Sequence, residues 1–143
     1  MTLRKGIILA VVAVFVVPLL IQFVPVWLLK TNPPVTTEPK WDSEQTRALA
    51  KRACFDCHSN ETLWPWYSNI APVSWLIIFD TQRGRNKLNF SEWGSKRYNV
   101  RELDEVILEG GMPPPIYVVS HSEAMLTTTE KQQLIKGLTK SLQ

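Results

Sequence analysis

From Ile7 to Leu29 the chain runs through 23 positions with one polar side chain, Gln22, and no charge. About 20 apolar residues cross a bilayer's hydrocarbon core as a helix, so this run predicts a transmembrane segment even with breaks at Pro18 and Pro25. Arg4 and Lys5 stand before it. Positive flanks stay in the cytoplasm, which sends everything after Leu29 across the membrane. Trp27 and Lys30 suit the far interface, one as an amphipathic ring and the other as a snorkelling amine. A cleaved signal peptide is the competing reading. It calls for a shorter apolar core closed by a small-x-small site, and no alanine occurs between Ala13 and Ala48. An uncleaved anchor over residues 1–30 is the expectation.

Residues 31–40 follow as a proline-rich spacer: "KTNPPVTTEPK" has three prolines and no apolar periodicity, which predicts a semi-extended segment. The remainder, residues 41–143, shows helical spacing and no alternation long enough for a sheet. Asp42 with Gln45 resembles a capping box that opens a helix through "EQTRALAKRAC". Pro72 in a first turn and Gly84 as a stop bracket a second helix over "VSWLIIFDTQR". "NVRELDEVILEGG" places Val100, Leu103, Val106 and Ile107 on one stripe, with Gly110 as the C-terminal glycine. In "TTTEKQQLIKGLTKSL", Thr127 and Glu130 make a capping box and Leu134, Ile135, Leu138 and Leu142 an apolar face. The expected fold is all-α: a small cytochrome c-like helical domain with long ordered loops, preceded by one transmembrane helix.

Four short helices are a poor core for Trp41, Trp64, Trp66, Trp75 and Trp93 unless something large and flat fills the centre. A cofactor would do so.

The net charge of +3 changes the picture little: removing Arg4, Lys5 and Lys30 from 16 Lys+Arg leaves 13 against 13 Asp+Glu. No nucleic-acid partner is expected of so neutral a domain. It is nevertheless polarised. Arg83, Arg85, Lys87, Lys96, Arg97 and Arg101 oppose Glu92 alone in residues 81–101, whereas residues 102–130 carry six acids and no Lys or Arg.

The only two cysteines, Cys54 and Cys57, stand with His58 in C-x-x-C-H, the attachment signature of c-type haem. Two thiols on one helical turn can each form a thioether to one porphyrin, and the adjacent imidazole can ligate its iron. That calls for one covalent haem c, with His58 as a metal ligand in neutral form and its other nitrogen held by a backbone carbonyl. Three other readings stand beside it. A disulfide across two residues closes too small a loop to stabilise much, a thioredoxin-like pair wants a βαβ context, and a zinc site finds only His121 for further soft donors. Met112 in "EGGMPPPIY" is the expected sixth ligand, displayed between two glycines and three prolines that hold the following chain extended. His121 is the alternative, an open iron the third possibility, and Met125 reads as core. "LWPWY" is placed to wall the haem or simply to pack. Arg83 and Arg85 either hold haem propionates or form an exposed basic loop.

"CFDCHSNETLWPWYSNIAPVSWLI", "GRNKLNFSEW", "MPPPIY", a histidine and an L-T-x-x-E helix start follow one another in an order that resembles the bacterial haem-binding domain family of small, membrane-anchored periplasmic c-type cytochromes. The resemblance implies covalent haem on Cys54 and Cys57, His58 as proximal ligand and Met112 as the distal element. The function expected is a one-electron carrier in the bacterial inner membrane, its haem domain in the periplasm, meeting periplasmic or membrane redox proteins and catalysing no reaction of its own. The alternative is a haem sensor or peroxidase-like enzyme with a displaceable sixth ligand.

Overall fold

The computed structural model describes residues 3–94 and 98–141, and only the backbone of Val100. Lys96, Arg97 and Leu142, and the Val100 side chain, therefore lie outside the described residues. The elements are α1 (Leu3–Ile21), α2 (Glu44–Ala53), α3 (Phe55–His58), α4 (Val73–Lys87), α5 (Val100–Leu108), α6 (Pro115–Ser120) and α7 (Thr128–Ser141), with 3₁₀ turns at Val26–Leu29, Trp66–Asn69 and Ser122–Ala124. Among the described residues there is no strand, only an isolated bridge between Thr37 and Glu92. The all-α expectation is met.

The chain forms two compact units. One comprises residues up to Thr31 together with Trp64–Asp80; the other comprises Asn32–Leu63 and Thr81 onward. In the first, Leu3–Leu29 is one stretch long and apolar enough to cross a membrane, with no residue of α1 buried.

In the second unit, Leu49, Ala50, Ala53, Phe55, Leu88, Phe90, Ile107, Leu126, Leu134 and Leu138 form the core, with Trp41, Trp93 and Met112 packed against it. Helix α7 packs against both α2 and α5. Its N-terminus is the expected capping box: Glu130 N–H donates to Thr127 Oγ1 (3.2 Å) and Thr127 N–H to Glu130 Oε2 (2.9 Å). Glu130 also accepts from Arg52 on α2 at 2.6 Å. Helix α5 is capped by Asn99, whose side chain accepts from Arg101 N–H, and Gly110 follows it in the left-handed conformation at φ +79°.

Several boundaries differ from expectation. Helix α2 is capped by Ser43, not Asp42, because the Ser43 hydroxyl is the group that accepts from Thr46 N–H (3.2 Å). Asp42 instead bonds through its own N–H to Ser141 Oγ, and Gln45 reaches Gln133 on α7. Gly84 does not stop α4, which continues to Lys87. Pro115 does not extend the chain but opens α6, where its fixed φ suits a first helical position and its missing N–H costs nothing. Met125 is 62 % exposed rather than core. Its backbone is extended, so successive side chains alternate, and Ala124 and Leu126 take the interior positions on either side. The five tryptophans do not share one centre: Trp41 and Trp93 line the core of the second unit, while Trp64, Trp66 and Trp75 belong to the first.

Residues 32–38 are extended but laced to the second unit. Thr36 and Thr37 N–H both donate to Ser91 O, Trp93 N–H donates to Thr37 O, and Asn60 Nδ2 donates to Pro34 O. Glu38 accepts two hydrogen bonds from Arg47 (2.7 and 2.8 Å) and one from Trp41 Nε1 (2.7 Å).

Candidate haem site

Helix α2 ends at Ala53, and Cys54 N–H still closes its last turn onto Ala50 O. Cys54 then leaves helical geometry at φ −129° and its carbonyl accepts from both Cys57 and His58 N–H (3.2 and 2.8 Å). One carbonyl thus gathers Cys54, Cys57 and His58 onto a single turn. Phe55, between the cysteines, is 2 % exposed and stacks on Phe90 with ring centroids 5.5 Å apart, which pins this turn to the core. The two thiols are not joined by a disulfide. Burial, with Cys57 nearby as a lesser cause, pushes the Cys54 thiol up to about 12. It is therefore a thiol at neutral pH and a poor exchange nucleophile, which disfavours a thioredoxin-like pair.

The His58 ring lies with Nδ1 3.0 Å from Leu88 O, and Phe90 N–H donates to His58 O at 2.8 Å. A carbonyl only accepts, so Nδ1 carries the proton and Nε2 keeps its lone pair. Burial holds the imidazole below its ordinary pKa despite the Leu88 and Gly84 carbonyls, which pull the other way. Neutral imidazole with an oriented Nε2 is the form that ligates a metal.

Helix α4 approaches this turn very closely at Gly84, where a Cβ would sit 2.3 Å from Cys57 O. No other residue fits. One position on, Arg85 is buried; its Nε donates to Ser59 O (2.7 Å) and its Nη2 to Thr62 Oγ1 (2.9 Å) and Asn32 Oδ1 (3.0 Å). Arg83 and Arg85 are thus on a helix, not in a loop: Arg83 is exposed, and Arg85 braces the segment after the motif. Asn60, Asn89 and Ser91 continue that brace, with Asn89 Nδ2 on Asn60 Oδ1 and Ser91 Oγ accepting from Asn60 N–H. These partners of "CHSN" and "NFSEW" explain why the two stretches occur together.

Met112 is half-buried against the same core, fixed by its N–H to Val106 O at 3.1 Å. His121 stacks on Tyr117 at 4.1 Å between centroids, its Nδ1 facing Tyr117 O (3.2 Å) and Ser120 Oγ (3.1 Å). Tyr117 in turn donates its hydroxyl to Asp56 Oδ2 at 2.6 Å. Asp56 and Tyr117, which sequence reasoning did not single out, thereby join α6 to the interior of the cysteine motif. "LWPWY", residues 63–67, divides: Leu63 N–H caps Asp56 Oδ1, whereas Trp64–Tyr67 lie in the first unit.

Residues 16–140 match the model of a haem-binding domain. The chain belongs to this haem-binding domain family. No curated protein and no solved structure gave a match.

The residues of this haem-binding domain fit their cofactor. His58 presents Nε2 from a ring locked by Leu88, two thiols stand on the same turn, and a thioether sulfur borders the same core. Among the described residues no three His, Cys, Asp or Glu side chains cluster to hold a metal, so the donors would suit an iron already held in a porphyrin, with His58 as a ligand, rather than an all-protein cage. Bound there, haem would supply a one-electron iron couple whose potential depends on axial ligands, hydrogen bonding and burial.

Proposed function

We propose that this chain is a membrane-tethered monohaem c-type cytochrome that carries single electrons in the periplasm, with haem covalently held by Cys54 and Cys57 and iron ligated by His58 and Met112. The observation that carries it is the His58–Leu88 hydrogen bond inside a turn that also bears both thiols. Nδ1–H on a carbonyl fixes the tautomer and makes Nε2 the better donor. Met112 is supported by its packing against the core and its anchored backbone, and thioether ligation raises a haem's potential. In this reading the protein's own work is to ligate the iron, to bury the site and to exclude water.

Arg4 and Lys5 before the apolar stretch support a periplasmic domain. Glu102, Glu105, Glu109 and Glu123 are exposed around Met112 in sequence, which suits docking to a basic redox partner and predicts transfer rates that fall with ionic strength. An unchanged rate with every partner tried would refute such docking.

A second reading keeps His58 and replaces Met112 by His121. It is favoured by the Tyr117 carbonyl at His121 Nδ1, the same orienting device seen at His58. Absorption spectra of the full-length protein, native and Met112→Ala, separate the two. A weak long-wavelength charge-transfer band of methionine–iron ligation that vanishes in the variant supports Met112. A low-spin spectrum indifferent to the substitution supports His121, and a high-spin native spectrum contradicts both and favours a sensor or enzyme.

A further inference from the structure

Residues 64–79 lie in the longest uncharged stretch outside the N-terminal run: from Thr62 to Phe79 there is no Asp, Glu, Lys or Arg, and five side chains are aromatic. Within it several apolar side chains of a helix face outward although Ile78 is buried. Along the first half of α4, Val73, Leu76 and Phe79 stand 44, 53 and 60 % exposed at helical spacing, while the polar Ser74 is buried at 4 %. Trp66 (75 %) and Ile70 (46 %) extend the same exposed apolar surface. Large apolar side chains exposed together in this way mark an interaction surface.

What covers it is indicated by the anchor's one polar side chain. Gln22 accepts from Ala71 N–H through Oε1 (3.0 Å) and donates from Nε2 to Ala71 O (3.1 Å) as well as to Pro18 O (2.9 Å). Seven apolar residues, 23–29, separate Gln22 from the first charge after the span. Ala71 is therefore at the depth of a residue inside the apolar run, where each backbone polar group needs a partner from protein. Nearer the end of the run, Lys30 Nζ donates to Asn69 Oδ1 (2.6 Å) and lies 5.7 Å from the centre of the Trp64 ring. Residues 64–71 thus run alongside residues 22–30.

We propose that residues 64–79 are a second membrane contact: they lie in the headgroup–acyl boundary of the bilayer, with Trp66, Ile70, Val73, Leu76 and Phe79 against lipid. The surface is continuous with the anchor, uncharged and aromatic-rich, which is the chemistry of that boundary. The inference rests on the reading of Leu3–Leu29 as a membrane anchor.

The test places a photo-reactive benzoylphenylalanine at Trp27 or at Trp66 in the full-length haem-loaded protein, reconstituted in vesicles of zwitterionic and anionic phospholipid. After irradiation, mass spectrometry detects acyl-chain adducts at both positions if the inference holds, and the adduct at 66 falls several-fold when Leu76→Glu and Phe79→Glu are added. Adducts at 27 and none at 66 overturn the second contact and leave the anchor standing. Adducts at neither overturn the anchor and the second contact with it. A cross-link from 66 to another copy of the chain instead of lipid overturns the proposal in favour of self-association.

Discussion

The Tyr117 hydroxyl donates to Asp56 Oδ2 at 2.6 Å, tying the short helix behind Met112 to the residue between Phe55 and Cys57. Asp56 also accepts from Leu63 N–H, so one carboxylate serves both the α6 segment and the exit from the cysteine motif. Burial first, then the Asp56 carboxylate, push the phenol well above its ordinary pKa, so it stays a donor at neutral pH. Tyr117→Phe removes a half-buried bond to a charged acceptor and is expected to cost about 1–2 kcal/mol. Thermal unfolding of the full chain in detergent reads this directly; an unchanged midpoint would mean the bond contributes nothing.

Gly84→Ala places a methyl 2.3 Å from Cys57 O, against backbone that cannot yield without moving the cysteine turn. The expected result is a loss of about 1–3 kcal/mol or more together with reduced haem content. Comparison of haem per chain in the native protein and the variant decides it; normal loading at normal stability would show that α4 shifts freely.

Cys54→Ser and Cys57→Ser each remove one of the two thiols proposed to hold the haem. Haem staining after denaturing electrophoresis is expected to be weakened by either change and abolished by both. Persistent stain in the double variant would exclude attachment through these thiols.

Arg85→Lys keeps the charge but cannot reproduce donation to Ser59 O, Thr62 Oγ1 and Asn32 Oδ1 from one planar group. A loss of about 2–3 kcal/mol is expected from the buried partners left unmatched. Equal denaturation midpoints for the two proteins would contradict this.

The Arg47 guanidinium holds the Glu38 carboxyl below its ordinary pKa, against a smaller opposing effect of burial. A depressed folded-state pKa stabilises above the unfolded value and is lost as pH falls through the folded one. The stability gap between native protein and Glu38→Gln is thus expected to be full above the ordinary carboxylate range, worth about 1 kcal/mol or less, and to close as pH falls through the depressed folded-state pKa. A gap that stays constant to pH 3 would show that shape, not charge, is what Glu38 contributes.

The sequence displayed its local chemistry and concealed its close approaches. C-x-x-C-H was legible because one helical turn alone sets the spacing of Cys54, Cys57 and His58. The Thr127–Glu130 box and the stripe of Leu103, Val106 and Ile107 were legible for the same reason, being contacts within a turn or two. Gly84 read as a stop because a glycine's letter does not say whether it frees the backbone or admits a neighbour; only Cys57, 27 positions away, decides that. Arg85 read as either a propionate holder or part of an exposed basic loop because its partners, Asn32, Ser59 and Thr62, come from distant segments. Prolines in residues 33–39 suggested a semi-extended spacer but not its partner: Ser91 supplies the acceptor that lets Thr36 and Thr37 lie against the domain.

The Gln22–Ala71 pairing bears on how the protein is handled as well as on where it sits. A water-soluble fragment made by trimming the chain at Lys30 would delete the amide that serves both backbone groups of Ala71. It would also leave Leu76 and Phe79 facing solvent, so its clumping or altered voltammetry on an electrode would report the cut and not the intact protein. Detergent-solubilised full-length chain is the specimen whose behaviour describes the molecule.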